Sequence, residues 1–184
     1  AKFLGIKHLW IVREAISNDY YRFIFKNNII SKFIGILSDK IIAISEYATN
    51  SSIRQGDWYK TKIIYNCVDS SYLYEKKLKK KRNTFNIGVI GAISPIKNQT
   101  ELLKLAKSMN RKDIKFFIYG NVSNRSGACD YYNNLINKIK TENLEDFVFI
   151  KEFTPIKSIM SELDVVINFC EIEAFGRTII ESMA

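Results

Sequence analysis

The chain has 184 residues, 47% hydrophobic and 13% aromatic, which is enough to bury a core and excludes a disordered protein. Lys and Arg exceed Asp and Glu by 28 − 19 = +9, so the average surface favours anionic partners: nucleotides, nucleic acid or an anionic membrane. Cys67, Cys129 and Cys170 are odd in number and widely spaced, which argues against a disulfide or zinc framework and for reduced, packed thiols.

In chain order, residues 1–5 read as a helix end closing at Gly5, followed by a strand from Lys7 to Val12 with Arg13 and Glu14 at its carboxyl end. Ile30, Phe33, Ile34 and Leu37 recur at helical spacing, and Lys40 to Ile44 is a second strand. Ser45 is placed to cap the next helix, which Gly56 is expected to stop, and Lys62 to Tyr65 is a third strand leading into Asn66-Cys-Val-Asp69. Then come six basic residues, Lys76, Lys77, Lys79, Lys80, Lys81 and Arg82, interrupted by Leu78. They read as a solvated linker or a membrane-facing patch. These features divide the chain into residues 1–69, a basic linker 70–83, and residues 84–184.

The last part alternates strand and helix. Phe85 to Ile90 alternates and ends at Gly91, and Asn98 with Glu101 resembles a capping box opening a helix with Leu102, Leu105, Ala106 and Met109 on one stripe. Ile114 to Tyr119 with Gly120 is the next strand, and Ala128 to Lys140 is helical with Tyr132, Leu135, Ile136 and Ile139 on one side. A strand at Phe147 to Ile150, a short helix near Ile156 to Leu163 and an apolar run from Leu163 to Phe169 complete the series. Such alternation predicts parallel strands with right-handed crossovers in a doubly wound α/β sheet, with strand order 3-2-1-4 and ligands at the carboxyl ends where strands 1 and 4 meet.

The chain closes with Glu171-Ile-Glu-Ala-Phe-Gly-Arg-Thr-Ile-Ile-Glu-Ser-Met-Ala184, a short loop and the start of a helix. Gly176 lets backbone donors approach an anion at the helix start, and Glu173 and Glu181, with seven residues between them, are acceptor-only groups suited to hydroxyls. The plain alternative is a strand-to-helix turn with two solvated glutamates. Likewise, His8 read alone is more often a packed or surface histidine, and Arg13 with Glu14 is equally explained by an internal ion pair. The helix at Ala184 has no cap, and the chain begins with Ala1, so a fragment is expected.

The closing stretch resembles the Glu-x7-Glu signature of the retaining GT-B glycosyltransferases of family 4, which usually reads Glu-Gly-Phe-Gly, four residues, Glu-Ala-Met-Ala. Ala174 and Ser182 depart from it. His8-Leu-Trp-Ile-Val-Arg-Glu14 resembles a segment of that family's acceptor domain, with Ile11 in place of a second histidine, and Asn66-Cys-Val-Asp69 resembles its Asn-Gly-Val-Asp. Lys97 matches the lysine of Gly-Arg-x4-Lys, while Ala92 occupies the position of the arginine.

The resemblance implies a GT-B fold of two Rossmann-like doubly wound domains, both incomplete here, and a retaining, metal-independent transfer of a sugar from a nucleotide diphosphate sugar to an acceptor hydroxyl. It implies no cofactor and no metal site. Donor-binding residues would be Gly91, Lys97, Gly120, Glu173, Phe175, Gly176, Arg177 and Glu181, with Glu173 and Lys97 catalytic and His8, Arg13 and Glu14 on the acceptor side. Lys97 and the Phe175 and Gly176 amides would hold the diphosphate, Glu181 the ribose hydroxyls, and Glu173 the donor sugar. Arg177 is a candidate to compensate for Ala92.

The partners implied are a nucleotide sugar and a glycan or lipid-linked acceptor in surface polysaccharide or glycan synthesis. A soluble, cytoplasmic protein is expected, since no signal pattern or membrane span is present, and the basic surface makes peripheral contact with the anionic inner face of the membrane a further expectation. The alternative class is a non-catalytic basic α/β module binding anionic lipid or nucleic acid. Nucleic acid is disfavoured, because the aromatics are not interleaved with the lysines as stacking platforms.

Overall fold

Local hydrophobic patterning decides most of the elements. A computed structural model describes residues 4–16, 27–68, 83–124 and 127–184. The basic run from Lys76 to Arg82 and Asp69 lie outside the described residues. The chain divides into two compact units, residues 1–67 with 172–177, and residues 68–171 with 178–184.

The first unit holds a parallel three-stranded sheet of β1 (Leu9–Val12), β2 (Lys40–Ala43) and β3 (Thr61–Ile63), in that order. Between the strands run α1 (Asn27–Leu37) and α2 (Glu46–Ser52). Val12, Ile34, Ile41, Ala43, Ala48 and Ile53 form the core, and Phe33 of the expected helical stripe is exposed. Ser45 caps α2 as expected, its Oγ accepting the Ala48 N–H at 2.9 Å. Gly56 does not end this helix. Ile53 does, in extended conformation with its N–H on the Thr49 carbonyl, because its side chain is drawn into the core; Gly56 sits in a following 3-10 turn, Gln55–Lys60. Cys67, in the place of a family glycine, does not adopt a positive φ.

The 3-10 turn is fastened to α1 by a charge cluster centred on the buried Asp57. Asp57 accepts from Arg54 Nη2 at 2.8 Å and pairs with Lys60 Nζ at 3.0 Å, while Lys60 also donates to the carbonyls of Gly35 and Ser38 at the end of α1. A cation on the last carbonyls of a helix is favourable to its dipole. Gly35 is required here by space, since a Cβ on it would lie 2.1 Å from Asp57 Oδ2.

In the second unit β4 (Phe85–Ile90), α3 (Thr100–Met109), β5 (Ile114–Tyr119), α4 (Ala128–Thr141), β6 (Val148–Lys151), α5 (Ile156–Glu162) and β7 (Val165–Val166) build a parallel sheet. Its order, β6-β5-β4-β7, is the predicted 3-2-1-4. α3 and α4 pack Leu102, Leu103, Ala106, Leu135 and Ile139 against Ile87, Val89, Phe116 and Ile118. On the opposite face α5 packs Ile156 and Ile159 against Ile90, Phe117 and Tyr119. β4 does not alternate in burial, because helices cover both its faces and every residue after Phe85 is buried.

Three local expectations are corrected. Asn98 is left-handed and closes a 3-10 turn, Pro95–Lys97, so it is unable to serve as the cap of α3; the Thr100 N–H instead finds the Tyr131 hydroxyl at 3.1 Å. The last strand is short, since Asn168 turns the chain by accepting the Cys170 N–H at 2.9 Å. The cysteines are free but not packed: Cys67 and Cys129 are exposed and Cys170 is half-buried. The closing helix is α6 (Arg177–Met183).

Candidate donor and acceptor sites

In the second unit the chain beyond β4 and β5 is pressed together. The Gly91 N–H donates to the Tyr119 carbonyl at 2.9 Å, and Gly91 has φ 151°, a conformation open to glycine. A Cβ on Gly120 would lie 2.0 Å from the Gly91 carbonyl oxygen, so only glycine fits where these two backbones meet. The pairing continues outward, with Ile93 N–H on the Asn121 carbonyl at 2.9 Å and Ser123 N–H on the Ile93 carbonyl at 3.1 Å. This is the carboxyl end of β4, flanked by β5 on one side and β7 on the other, where helices change face and ligands of doubly wound sheets bind.

Lys97, half-buried, follows on the short 3-10 turn. Its Cδ and Cε lie 3.8 Å from the position of a Gly91 Cβ, so the side chain passes over Gly91. Gly91, Gly120 and Lys97 are therefore brought together. Glu181, on α6, is 8% exposed.

A residue the patterning missed holds this loop. Gln99 is fully buried, its Nε2 donating to the Ala92 carbonyl at 3.0 Å, and its Oε1 has no protein partner. Its spacing to Leu102, Leu103 and Ala106 on the apolar stripe was the available signal, because an amide on such a stripe is buried with its helix.

The first unit carries the other candidates. Glu173 and Phe175 are half-buried, Gly176 is buried with φ 76°, and Arg177 is exposed. Ala174 and Phe175 pack on this unit's core, and the Phe175 ring lies 6.4 Å from that of Tyr65. His8 is at the amino end of β1, whereas Arg13, exposed, and Glu14, half-buried, follow its carboxyl end, so the strand separates them. His8 Nδ1 is 2.9 Å from the Leu37 carbonyl, which only accepts, so this nitrogen carries the proton; the His8 N–H donates to Asp39 at 2.7 Å. The segment after β1 is pinned by the fully buried Ser52, whose hydroxyl donates to the Glu14 carbonyl at 3.1 Å and accepts the Ile16 N–H at 2.9 Å. Among the described residues no three His, Cys, Asp or Glu side chains are grouped to hold a metal ion, and no helix is long and apolar enough to cross a membrane.

Residues 72–184 match the family model described as Glycosyl transferases group 1. No curated protein sequence matches the chain. Among solved structures, Anabaena Alr3699/HepE in complex with UDP and glucose is similar with a TM-score of 0.82 and 20% identity, over 99% of this chain and 51% of that one. An S. aureus TarM variant in complex with Fondaparinux, alpha-GlcNAc-glycerol and UDP is similar with a TM-score of 0.73 and 21% identity, over 96% of this chain and 35% of that one. The pneumococcal O-GlcNAc transferase GtfA with UDP and GlcNAc gives 0.65 and 18% over 96% and 35%. The chain thus spans about half the length of the first of these. The likeness establishes the α/β fold as the GT-B type, with Rossmann-like doubly wound domains.

Proposed function

Because this chain belongs to the glycosyl transferases group 1, we propose that it forms part of an enzyme moving a sugar from a nucleotide diphosphate sugar to an acceptor hydroxyl with retention of configuration. The observation that carries this reading is the close approach of Gly91 and Gly120 at the carboxyl end of β4, with the Lys97 side chain over Gly91. A ligand phosphate can come near backbone there and meet a cation. The UDP in the HepE, TarM and GtfA complexes supports a nucleoside diphosphate as the leaving group.

In this reading Lys97 and the Phe175 and Gly176 amides neutralise the departing diphosphate, with Arg177 supplying the guanidinium that Ala92 lacks, and no resident metal or cofactor is needed. Glu181 accepts from the ribose hydroxyls and Glu173 contacts the donor sugar. Arg13 and Glu14, at the carboxyl end of β1, serve the acceptor side; His8, which the resemblance assigns to the same side, lies at the other end of that strand with its ring on the Leu37 carbonyl. The acceptor is a glycan or a lipid-linked glycan of surface polysaccharide or glycan synthesis.

A thermal-shift panel of nucleotide sugars on the full-length protein identifies the donor. By calorimetry, Glu181→Gln and Lys97→Ala each weaken nucleoside diphosphate binding by about 1–3 kcal/mol, as for a lost charged hydrogen-bond partner. Glu173→Gln lowers turnover more than affinity. Unchanged binding in both of the first two variants would show the donor-site assignment to be wrong.

In this reading the protein is cytoplasmic, and its net charge of +9 supports peripheral contact with the anionic inner face of the membrane. Replacing Lys79, Lys80 and Lys81 with Gln is expected to weaken sedimentation with anionic liposomes while nucleotide affinity stays intact. Unaltered liposome binding removes the membrane part of this reading.

A further inference from the structure

We infer that Ser45 is a positioning residue for the loop that bears Glu173. After Glu171 the chain leaves the second unit, runs through residues 172–177 as part of the first, and returns at Thr178. This six-residue strap is fixed to the first unit at a named point: the Ser45 hydroxyl donates to the Ala174 carbonyl at 2.5 Å. Ala174 and Phe175 close the attachment by packing on the core around Val12, Ile41 and Ala43, with Tyr65 beside the Phe175 ring. Glu173 is one peptide unit away from the anchored carbonyl, so its Cα is held through Ser45.

The same hydroxyl accepts the Ala48 N–H and caps α2, and Ser45 itself is 9% exposed. A hydroxyl has one proton and two lone pairs, so it is able to accept from the helix and donate to the strap at once. Serine and threonine meet both demands. A carboxylate meets only the first, because Asp caps helices as well as Ser does but has no proton to give. The cap and the strap are therefore separable by one substitution. The catalytic part of this inference rests on the transferase reading above; the anchoring part does not.

The test compares the full-length protein with Ser45→Asp and Ser45→Thr by hydrogen exchange and by kinetics. In Ser45→Asp the amides of residues 172–177 are expected to exchange several-fold faster while those of α2 keep their protection, as follows when local opening alone becomes easier. With the donor found in the nucleotide-sugar panel, kcat falls by about tenfold with a smaller change in KM, in line with misplacement of a reacting group. Ser45→Thr restores both. Unchanged exchange across residues 172–177 in Ser45→Asp overturns the anchor, and faster exchange with wild-type kcat overturns the positioning role. If the parent protein turns over no nucleotide sugar, the transferase reading fails while the exchange result still decides the anchor.

Discussion

Gly120→Ala is expected to destabilise the second unit by about 3 kcal/mol, the upper part of the range for overpacking, and to remove measurable nucleoside diphosphate binding. The added Cβ would lie 2.0 Å from the Gly91 carbonyl oxygen and 2.9 Å from its carbon, both backbone atoms. Neither chain is free to retreat. The Gly120 N–H is bonded to the Lys151 carbonyl at 3.0 Å, and the Gly91 N–H to the Tyr119 carbonyl at 2.9 Å. Relief has to come from spreading the β4 and β5 ends, which displaces the loop that carries Lys97. Gly91→Ala makes a useful control, because a Cβ there meets only the Lys97 side chain at 3.8 Å and the penalty is the φ of 151° alone. Such backbone strain costs about 1–3 kcal/mol. Thermal unfolding followed by calorimetry with UDP checks both, and wild-type stability and affinity in Gly120→Ala would contradict the steric argument.

Asp57→Asn is expected to cost the first unit about 3 kcal/mol, the low end of the range for breaking a buried ion pair, because Arg54 is half in solvent. Asp57 is 6% exposed and the Lys60 side chain 10%, so the amide would leave a buried ammonium without its counter-charge. Lys60 would keep the Gly35 and Ser38 carbonyls and the Tyr59 ring 5.8 Å from its Nζ, none of which carries a formal charge. Burial pushes the Asp57 carboxyl up, yet the hydrogen bonds and charges of Arg54 and Lys60 outweigh it and hold its pKa below the usual carboxylate value. A depressed folded pKa means that this stability is present above the unfolded pKa and is lost as pH falls through the folded one. The wild-type transition should therefore weaken below about pH 4, and the Asp57→Asn variant should lose that part of the acid dependence because an amide does not titrate there. Urea unfolding from pH 7 downward measures it; parallel acid profiles in the two proteins would rule out Asp57 as the source.

The elements of both units were legible in the sequence because they are set by neighbouring residues. Helical stripes and apolar runs are properties of windows of a few residues, and Ser45 caps α2 through a bond to Ala48 within the same turn. Parallel order 3-2-1-4 followed from the alternation of those windows, since right-handed crossovers leave few topologies. That Lys97 lies near Gly91 could be read for a similar reason, since both belong to the short stretch after β4, and the part Lys97 plays there is the proposal made above.

What only the tertiary structure decided depends on groups distant in sequence. Gly120 looks like any strand-ending glycine until the Gly91 carbonyl is seen against it, and Gly35 looks like a helix flaw until Asp57 fills its space. Gln99 and Asp57 are polar residues whose burial comes from elements that pack over them, which a local pattern does not encode. His8 sits in a motif-like stretch, yet the Leu37 carbonyl and Asp39 occupy its ring and its amide. The strap of residues 172–177 reads as the loop after β7, but its carbonyl is held by Ser45 and its apolar seat is the core around Val12, Ile41 and Ala43, and no window of sequence contains both strap and seat.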